Sequence, residues 1–167
     1  MTDHQKQGLK IVRHINAPKN VVFDAFAKAE ALGQWWGPAG SSIVVNDFNF
    51  IAGGKFHYKL EGNGQTMWGL FKYIKITPPE GIQFISSFSD EDGNVCTSPF
   101  PMDFPLEILN DITLTETNGR TTLTLQGHPV NATAAQQETY NSIAESMQQG
   151  FAGTFDKLDH YLDTLNK

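Results

Sequence analysis

Eighteen carboxylates, five histidines and a single cysteine are the side chains of this 167-residue chain that could carry proton transfer, metal binding or nucleophilic attack. Their placement offers little of that chemistry. His4, His14, His57, His128 and His160 show no metal-ligand spacing. His57 alternates with Lys55 and Lys59 and reads as part of a solvated strand face. Most carboxylates fall in turns or on the polar side of the last helix. Asp47 and Glu107 lie within strand-like runs, where an inward carboxyl would have its pKa raised by burial and could act as an acid or base. His128 is the third group that could serve so. Cys96 sits in a proline-rich stretch without basic neighbours to activate its thiol, and alone it forms neither an internal disulfide nor a cysteine-based zinc site. There is no Gly-x-Ser-x-Gly elbow, no His-Glu-x-x-His and no phosphate loop. Gly53-Gly54 and the Gly62 and Gly64 pair lie between strands and open no helix, which removes a dinucleotide fingerprint. No catalytic residue, metal ligand or cofactor is assigned.

The positive signal is aromatic, with 12 Phe, 4 Tyr and 3 Trp. Trp35, Trp36, Phe56, Tyr58, Trp68, Phe84, Phe88, Met147, Phe151 and Phe155 could converge between a sheet and a helix. They would then line an apolar ligand cavity or pack as a dry core, and the pattern permits both. Tyr58, Ser86 and Asn110 are the polar groups that could orient a small apolar or aromatic ligand. Gly150 and Gly153 each cost a helix interior about 1 kcal/mol relative to Ala. Two within one turn suggest a close approach, a bend or room for a ligand.

The elements that must position these groups follow from periodicity. Tyr140, Ala144, Met147, Phe151, Phe155, Leu158, Leu162 and Leu165 recur every three or four residues, which predicts one long amphipathic helix over 133–165. Thr133 and Gln136 have capping-box spacing at its start. Residues 9–15 alternate as a first strand, and Asn16-Ala17-Pro18 opens a helix pair ending at Trp36. Strands follow over 42–50, 55–60, 66–76, 82–88, 106–117 and 120–126, the last two joined by an Asn118-Gly119 hairpin. Gly69 inside a strand marks a bulge or a close approach, and His128-Pro129 ends the last strand. The stretch 90–105, with Pro99, Phe100, Pro101, Met102, Phe104 and Pro105, is either a lid or a packed surface excursion. A cavity mouth is expected beside it and the Trp35-Trp36 turn. This order is that of an α+β domain whose curved antiparallel sheet wraps around the long C-terminal helix. Residues 1–8 are expected to be a flexible terminus and 9–167 a single domain.

Net charge is 12 − 18 = −6, with no basic run to meet nucleic-acid phosphates or an anionic membrane surface. No run approaches the ~18 apolar residues of a membrane span, and the polar N-terminus lacks a signal-peptide core. A cytoplasmic location is expected.

Ala17-Pro18, residues 21–40 (VVFDAFAKAEALGQWWGPAG), Gly53-Gly54, Gly69, residues 73–82 (YIKITPPEGI), the TNGRTTLTL hairpin and Gly150-Phe151 form a recognisable set. Trp35-Trp36-Gly37-Pro38 is its most specific piece. The chain resembles the family related to the C-terminal domain of the activator of Hsp90 ATPase, within the START-like (SRPBCC) superfamily, over about residues 9–165. The resemblance implies a helix-grip (START/Bet v 1-like) fold with a cavity between sheet and helix, and no single activity. Relatives include lipid and hormone binders, cyclases and co-chaperones. A hydrophobic small-molecule binding domain is the first expectation, an Hsp90-type co-chaperone or interaction protein the second, and a cyclase- or hydrolase-type enzyme the third. Phe151 stands where relatives commonly carry Trp, and the 90–105 stretch is longer than in relatives.

Overall fold

The computed structural model describes residues 8–37, 40–62, 64–98 and 102–165. Most of the expected flexible terminus, and Pro38, Pro99, Phe100 and Pro101, lie outside the described residues. The elements run β1 (Leu9–Ile15), α1 (Lys19–Ala27), α2 (Ala29–Trp35), β2 (Ser42–Phe48), β3 (Lys55–Gly62), β4 (Gln65–Thr77), β5 (Gly81–Ser89), β6 (Val95–Cys96), β7 (Glu107–Thr117), β8 (Arg120–Val130), α3 (Ala134–Ser142) and α4 (Ala144–Leu165).

All strand pairs are antiparallel, in the order β1-β8-β7-β5-β4-β3-β2, with β6 added beside β5. Since β1 and β2 lie at opposite ends of that order, the chain must cross the sheet between Ile15 and Ser42. The α1–α2 pair makes the crossing and buries Val22, Phe23, Phe26, Leu32 and Trp35 on the way. The β7–β8 hairpin turns through Asn118 and Gly119, with φ of 55° and 77°, the doubly left-handed geometry that Asn-Gly favours. The chain does not leave β8 at His128-Pro129 as expected. Pro129 still pairs with Ile108, while the register with β1 ends at Gly127, so the missing N–H of Pro129 falls where β8 has run past β1. The irregularities of the sheet fall between Val45 and Asp47 and between Tyr73 and Lys75, not at Gly69.

The expected single C-terminal helix is two helices. Thr133 and Gln136 form the capping box in full, with Thr133 Oγ1 accepting from Gln136 N at 3.1 Å and Gln136 Oε1 accepting from Thr133 N at 3.0 Å. The break comes at Ile143 (φ −109°, ψ 12°), whose N–H is shared between the carbonyls of Thr139 and Tyr140 at 3.3 Å each. It divides the apolar stripe. Phe155, Leu158 and Leu162 enter the main core with Phe56, Phe71, Phe84 and Leu125, whereas Tyr140 joins a separate buried cluster with Leu9 and Ile108. Leu165, placed on the stripe by periodicity, is exposed.

These two ends of the C-terminal segment differ in what holds them, and so in what a substitution costs. Thr133→Ala removes one cap and should lower stability by about 1 kcal/mol. Leu158→Ala, at a fully buried position, should cost about 2–5 kcal/mol. Urea unfolding with the slope held in common measures both.

Candidate functional site

The inner face of the sheet changes character along its length. At one end Phe71 on β4, Phe84 on β5, Ile112 on β7 and Leu125 on β8 fill the space beneath α4. Two residues further along each strand, on the same face, stand Gly69, Ser86, Asn110 and Gly127. Large side chains give way to small or polar ones on four consecutive strands; a cavity of about 170 Å³ is bordered by Gly69, Ser86 and Asn110, while the space over Gly127 is taken by Asn110 Oδ1 and Tyr140 Oη. Its far wall and rim come from Tyr140 on α3, Met147 and Phe151 on α4, and Phe104, Pro105 and Leu106 ahead of β7.

Helix α4 can stand over this gap because its other half is tied down. Trp35 is wholly buried and its indole N–H donates to Ala25 O at 3.0 Å. Gly37 follows with φ of 107°, where an added Cβ would lie 2.7 Å from Leu60 Cδ2. Its carbonyl accepts from Thr154 Oγ1 at 3.0 Å and from Lys157 Nζ at 3.1 Å. Burial lowers the pKa of that lysine amine. From β1, Arg13 Nη2 reaches Asp156 and Asp159 at 2.5 and 2.6 Å. These ties all fall on residues 154–159; toward Gly150, which is exposed and would place a Cβ in open space, no such tie to the helix is found among the described residues. Gly150 therefore does not serve the close approach that its position suggested.

Tyr58, Ser86, Asn110 and Tyr140 border the cavity from the inner face, and Ser87, which alternation turns the other way on β5, is also in the lining. Tyr58 lies across Gly69 on the neighbouring strand, so closely that a Cβ there would meet its ring and hydroxyl at 2.3–2.7 Å. The approach at Gly69 is thus that of a side chain, neither a bulge nor the close backbone approach expected from sequence. Burial raises the Tyr58 pKa to about 12, against a hydrogen bond from the Trp36 side chain. Asn110 Nδ2 donates to Ser86 Oγ at 3.0 Å and to Ile108 O at 3.1 Å. At the rim, Tyr140 Oη donates to Gly127 O at 3.1 Å, and burial raises its pKa to about 12 against the backbone of Leu9.

Of the ten residues singled out from sequence, Tyr58, Trp68, Phe88, Met147 and Phe151 border the cavity. Trp35, Trp36, Phe56, Phe84 and Phe155 do not; they pack in the core. Trp36 sits just behind the wall, 5.1 Å from the Phe71 ring and 6.4 Å from those of Tyr58 and Phe151. Trp68 belongs to the opposite face, where its ring stacks on His57 at 5.0 Å. His57 corrects the expectation of a solvated residue, being 2% exposed. The turn at Asp90–Asn94 folds over it: Nε2 donates to Asp90 O at 3.0 Å, and Nδ1 accepts from Asn46 at 2.9 Å. That turn exists because Asp90 Oδ1 accepts from the backbone N–H of Asn94 and Asp92, which holds the Asp90 carboxyl below the usual range. The stretch 90–105 is therefore part hairpin, with β6 on β5, and part rim, with Phe104 between the rings of Phe88 and Tyr140. Asp47 pairs with Lys55 at 3.6 Å, His128 is exposed, and neither they nor Glu107 border the cavity.

A sheet gripping a helix over a ring-lined gap is the architecture of a known family, and the model of the family described as activator of Hsp90 ATPase homolog 1-like protein matches residues 16–163. The chain belongs to this family. Solved structures carry the same fold at low identity. A protein of Arthrobacter aurescens is 22% identical with a TM-score of 0.80, over 98% of this chain and 90% of that one. One of Mycobacterium smegmatis is 24% identical, with a TM-score of 0.75 over 100% and 94%. The AHSA1 protein of Silicibacter pomeroyi is 17% identical, with a TM-score of 0.71 over 95% and 99%. Among curated proteins none matches. No described helix is long and apolar enough to cross a membrane, and no described group of His, Cys, Asp or Glu could hold a metal ion.

Sequence reasoning missed Leu9, Leu60, Met67 and Tyr140 as cavity-lining positions. Two outcomes follow from this geometry. Gly69→Ala should displace the Tyr58 ring from a packed site and lower stability by about 1–3 kcal/mol, an overpacking cost readable by denaturant unfolding. Burial raises the pKa of Tyr73 on β4 as well, and the three raised tyrosines give a pH dependence with a definite sign. Unfolded tyrosines ionise near pH ~10, so between about pH 10 and pH 12 the unfolded chain binds fewer protons than the folded one, and stability falls as pH rises. This contribution is fully present below pH ~10. The double variant Tyr58→Phe, Tyr140→Phe should show a shallower alkaline loss in the same titration.

Proposed function

We propose that this chain is a small-molecule binding protein, holding an apolar or aromatic ligand in the gap between α3, α4 and the inner face of β3, β4, β5 and β7. The observation that carries the reading is the cavity of about 170 Å³ left where Gly69, Ser86 and Asn110 stand in place of bulky residues on three neighbouring strands beneath a ring-lined wall. A sequence selected only for a packed core would fill that volume, because each unfilled methylene costs about 1 kcal/mol. The size narrows the ligand. A dry cavity of ~150 Å³ accommodates one benzene ring, whereas drug-sized ligands occupy ~300 Å³ or more. About 170 Å³ suits a single ring or a short aliphatic chain rather than a sterol or phospholipid. The unpaired Cys96 is compatible with work in a reducing compartment such as the cytoplasm. The family description supports a second reading, a partner of an Hsp90-type ATPase acting through an outer surface. The described exposed apolar residues, among them Val12, Val44, Ile74 and Leu106, are spread over β1, β2, β4 and the stretch before β7, which favours the cavity reading.

Native mass spectrometry of freshly purified protein tests the proposal: a retained small molecule is the expected result. Phe151→Ala is the companion measurement. Phe151 is half-buried at the cavity wall, so its truncation should cost well below the 3–5 kcal/mol of a fully packed ring and should weaken binding of a hydrophobic dye. A full core-type loss, with no dye bound by the parent, refutes the binding function.

A further inference from the structure

The hydrogen-bonding groups around the cavity are largely committed, and what they leave uncommitted defines the ligand. Ile108 O can only accept, so the Asn110 atom 3.1 Å from it is the amide nitrogen, and the orientation of this amide is settled. Its two N–H groups are spent on Ile108 O and on Ser86 Oγ. Its Oδ1 is turned onto Gly127, 2.8 Å from where a Cβ would stand there. Tyr140 Oη spends its proton on Gly127 O. Ser86 Oγ accepts from Asn110, so its own hydroxyl hydrogen is the group it has left to offer. Tyr58 is in the same position, since its oxygen takes the hydrogen bond from the Trp36 side chain and its proton remains. Both hydroxyls belong to the lining, and neither a charged side chain nor a histidine is among the described lining residues.

We infer that the site selects an uncharged ligand that carries a hydrogen-bond acceptor, such as a ketone, aldehyde, ester or amide carbonyl on a single ring or short chain, received by the hydroxyls of Ser86 and Tyr58. This rests on the binding function proposed above and adds its polarity. The chemistry is that of complementarity by unmet need. A carbonyl oxygen presented to two hydroxyl donors replaces the water it loses on entry. A carboxylate would bring a full charge into a cavity that supplies no cation, and a hydrocarbon would leave both donors facing apolar atoms. Ser86 holds a second role through Asn110: by accepting from the amide, it keeps Asn110 over Gly127, out of the volume the ligand occupies.

The experiment uses the whole chain and three probes of similar size, acetophenone, isopropylbenzene and benzoate, with dissociation constants from ligand titration followed by NMR. Because the hydrocarbon is intrinsically the more hydrophobic, the informative quantity is the ratio of the acetophenone and isopropylbenzene constants. In Ser86→Ala this ratio should shift ~10-fold toward the hydrocarbon, the loss of about one hydrogen bond. Tyr58→Phe should shift it in the same direction, and serves as an independent arm if Ser86→Ala fails to fold. Benzoate should bind at least ~10-fold more weakly than acetophenone, since nothing in the lining offsets its charge. An unchanged ratio in the folded variants, or benzoate binding as well as the ketone, overturns the acceptor inference and leaves an apolar binding site standing. Failure of both neutral probes to bind the parent overturns the inference and the binding function together.

Discussion

The fold depends on where α4 is anchored. The carbonyl of Gly37 receives Thr154 and Lys157, and Arg13 receives Asp156 and Asp159. A helix pinned along one stretch behaves as a beam, whose height over the sheet elsewhere is set by what lies between. Along residues 155–162 large rings and leucines lie between, and the space is filled. Nearer its start, Gly69, Ser86 and Asn110 lie beneath, and a gap bordered by them stays open. The ion pairs themselves contribute little, since Asp156 is 71% exposed and solvent screens such pairs to about 1 kcal/mol or less. The neutral bond from Thr154 to Gly37 O is buried, and the part-buried Lys157 amine shares the same carbonyl, so their loss would strand a carbonyl inside the protein. They are the better candidates for holding the helix in place.

The Trp35-Trp36-Gly37 turn is the other half of that anchor. Trp35 is held by its bond to Ala25 O and by rings of Phe26 and Trp36 at 4.9 and 5.5 Å. Gly37 has a positive φ that L side chains rarely adopt, and a Cβ there would stand 2.7 Å from Leu60 Cδ2, so another residue would be strained and would push the Leu60 side chain aside. The turn thus acts as a structural fixture that presents one carbonyl to α4.

The outer face carries a second, separate device. His57, Trp68 and the Asp90–Asn94 turn form a small covered cluster on β3 and β4, with Lys59 Nζ 5.7 Å from the Trp68 ring centroid. It accounts for an imidazole buried on what is otherwise a lysine-bearing face: both ring nitrogens are matched, one to a carbonyl and one to an amide. It also fixes the start of the 90–105 stretch, so that the segment returning to β7 passes the cavity and contributes Phe104 to its rim.

Element types, most of their limits, the Asn118-Gly119 hairpin, the capping box at Thr133 and membership of the helix-grip class were legible in the chain itself. All depend on local preference or on periods of two and 3.6 residues, which a sequence displays directly. The aromatic set could be named but not divided, because alternation tells which face a residue takes and not what stands opposite it. Trp35, Phe56, Phe84 and Phe155 became core, whereas Tyr58, Phe88, Met147 and Phe151 became wall, by the order in which distant strands pair. The turn covering His57 lies 33 residues away from it, beyond any local pattern. The helix break at Ile143 likewise escaped a periodicity that runs through it unbroken. The cavity itself exists because Gly69, Ser86 and Asn110, from three strands, fall near one another under the first half of α4, and only the tertiary register brings them there.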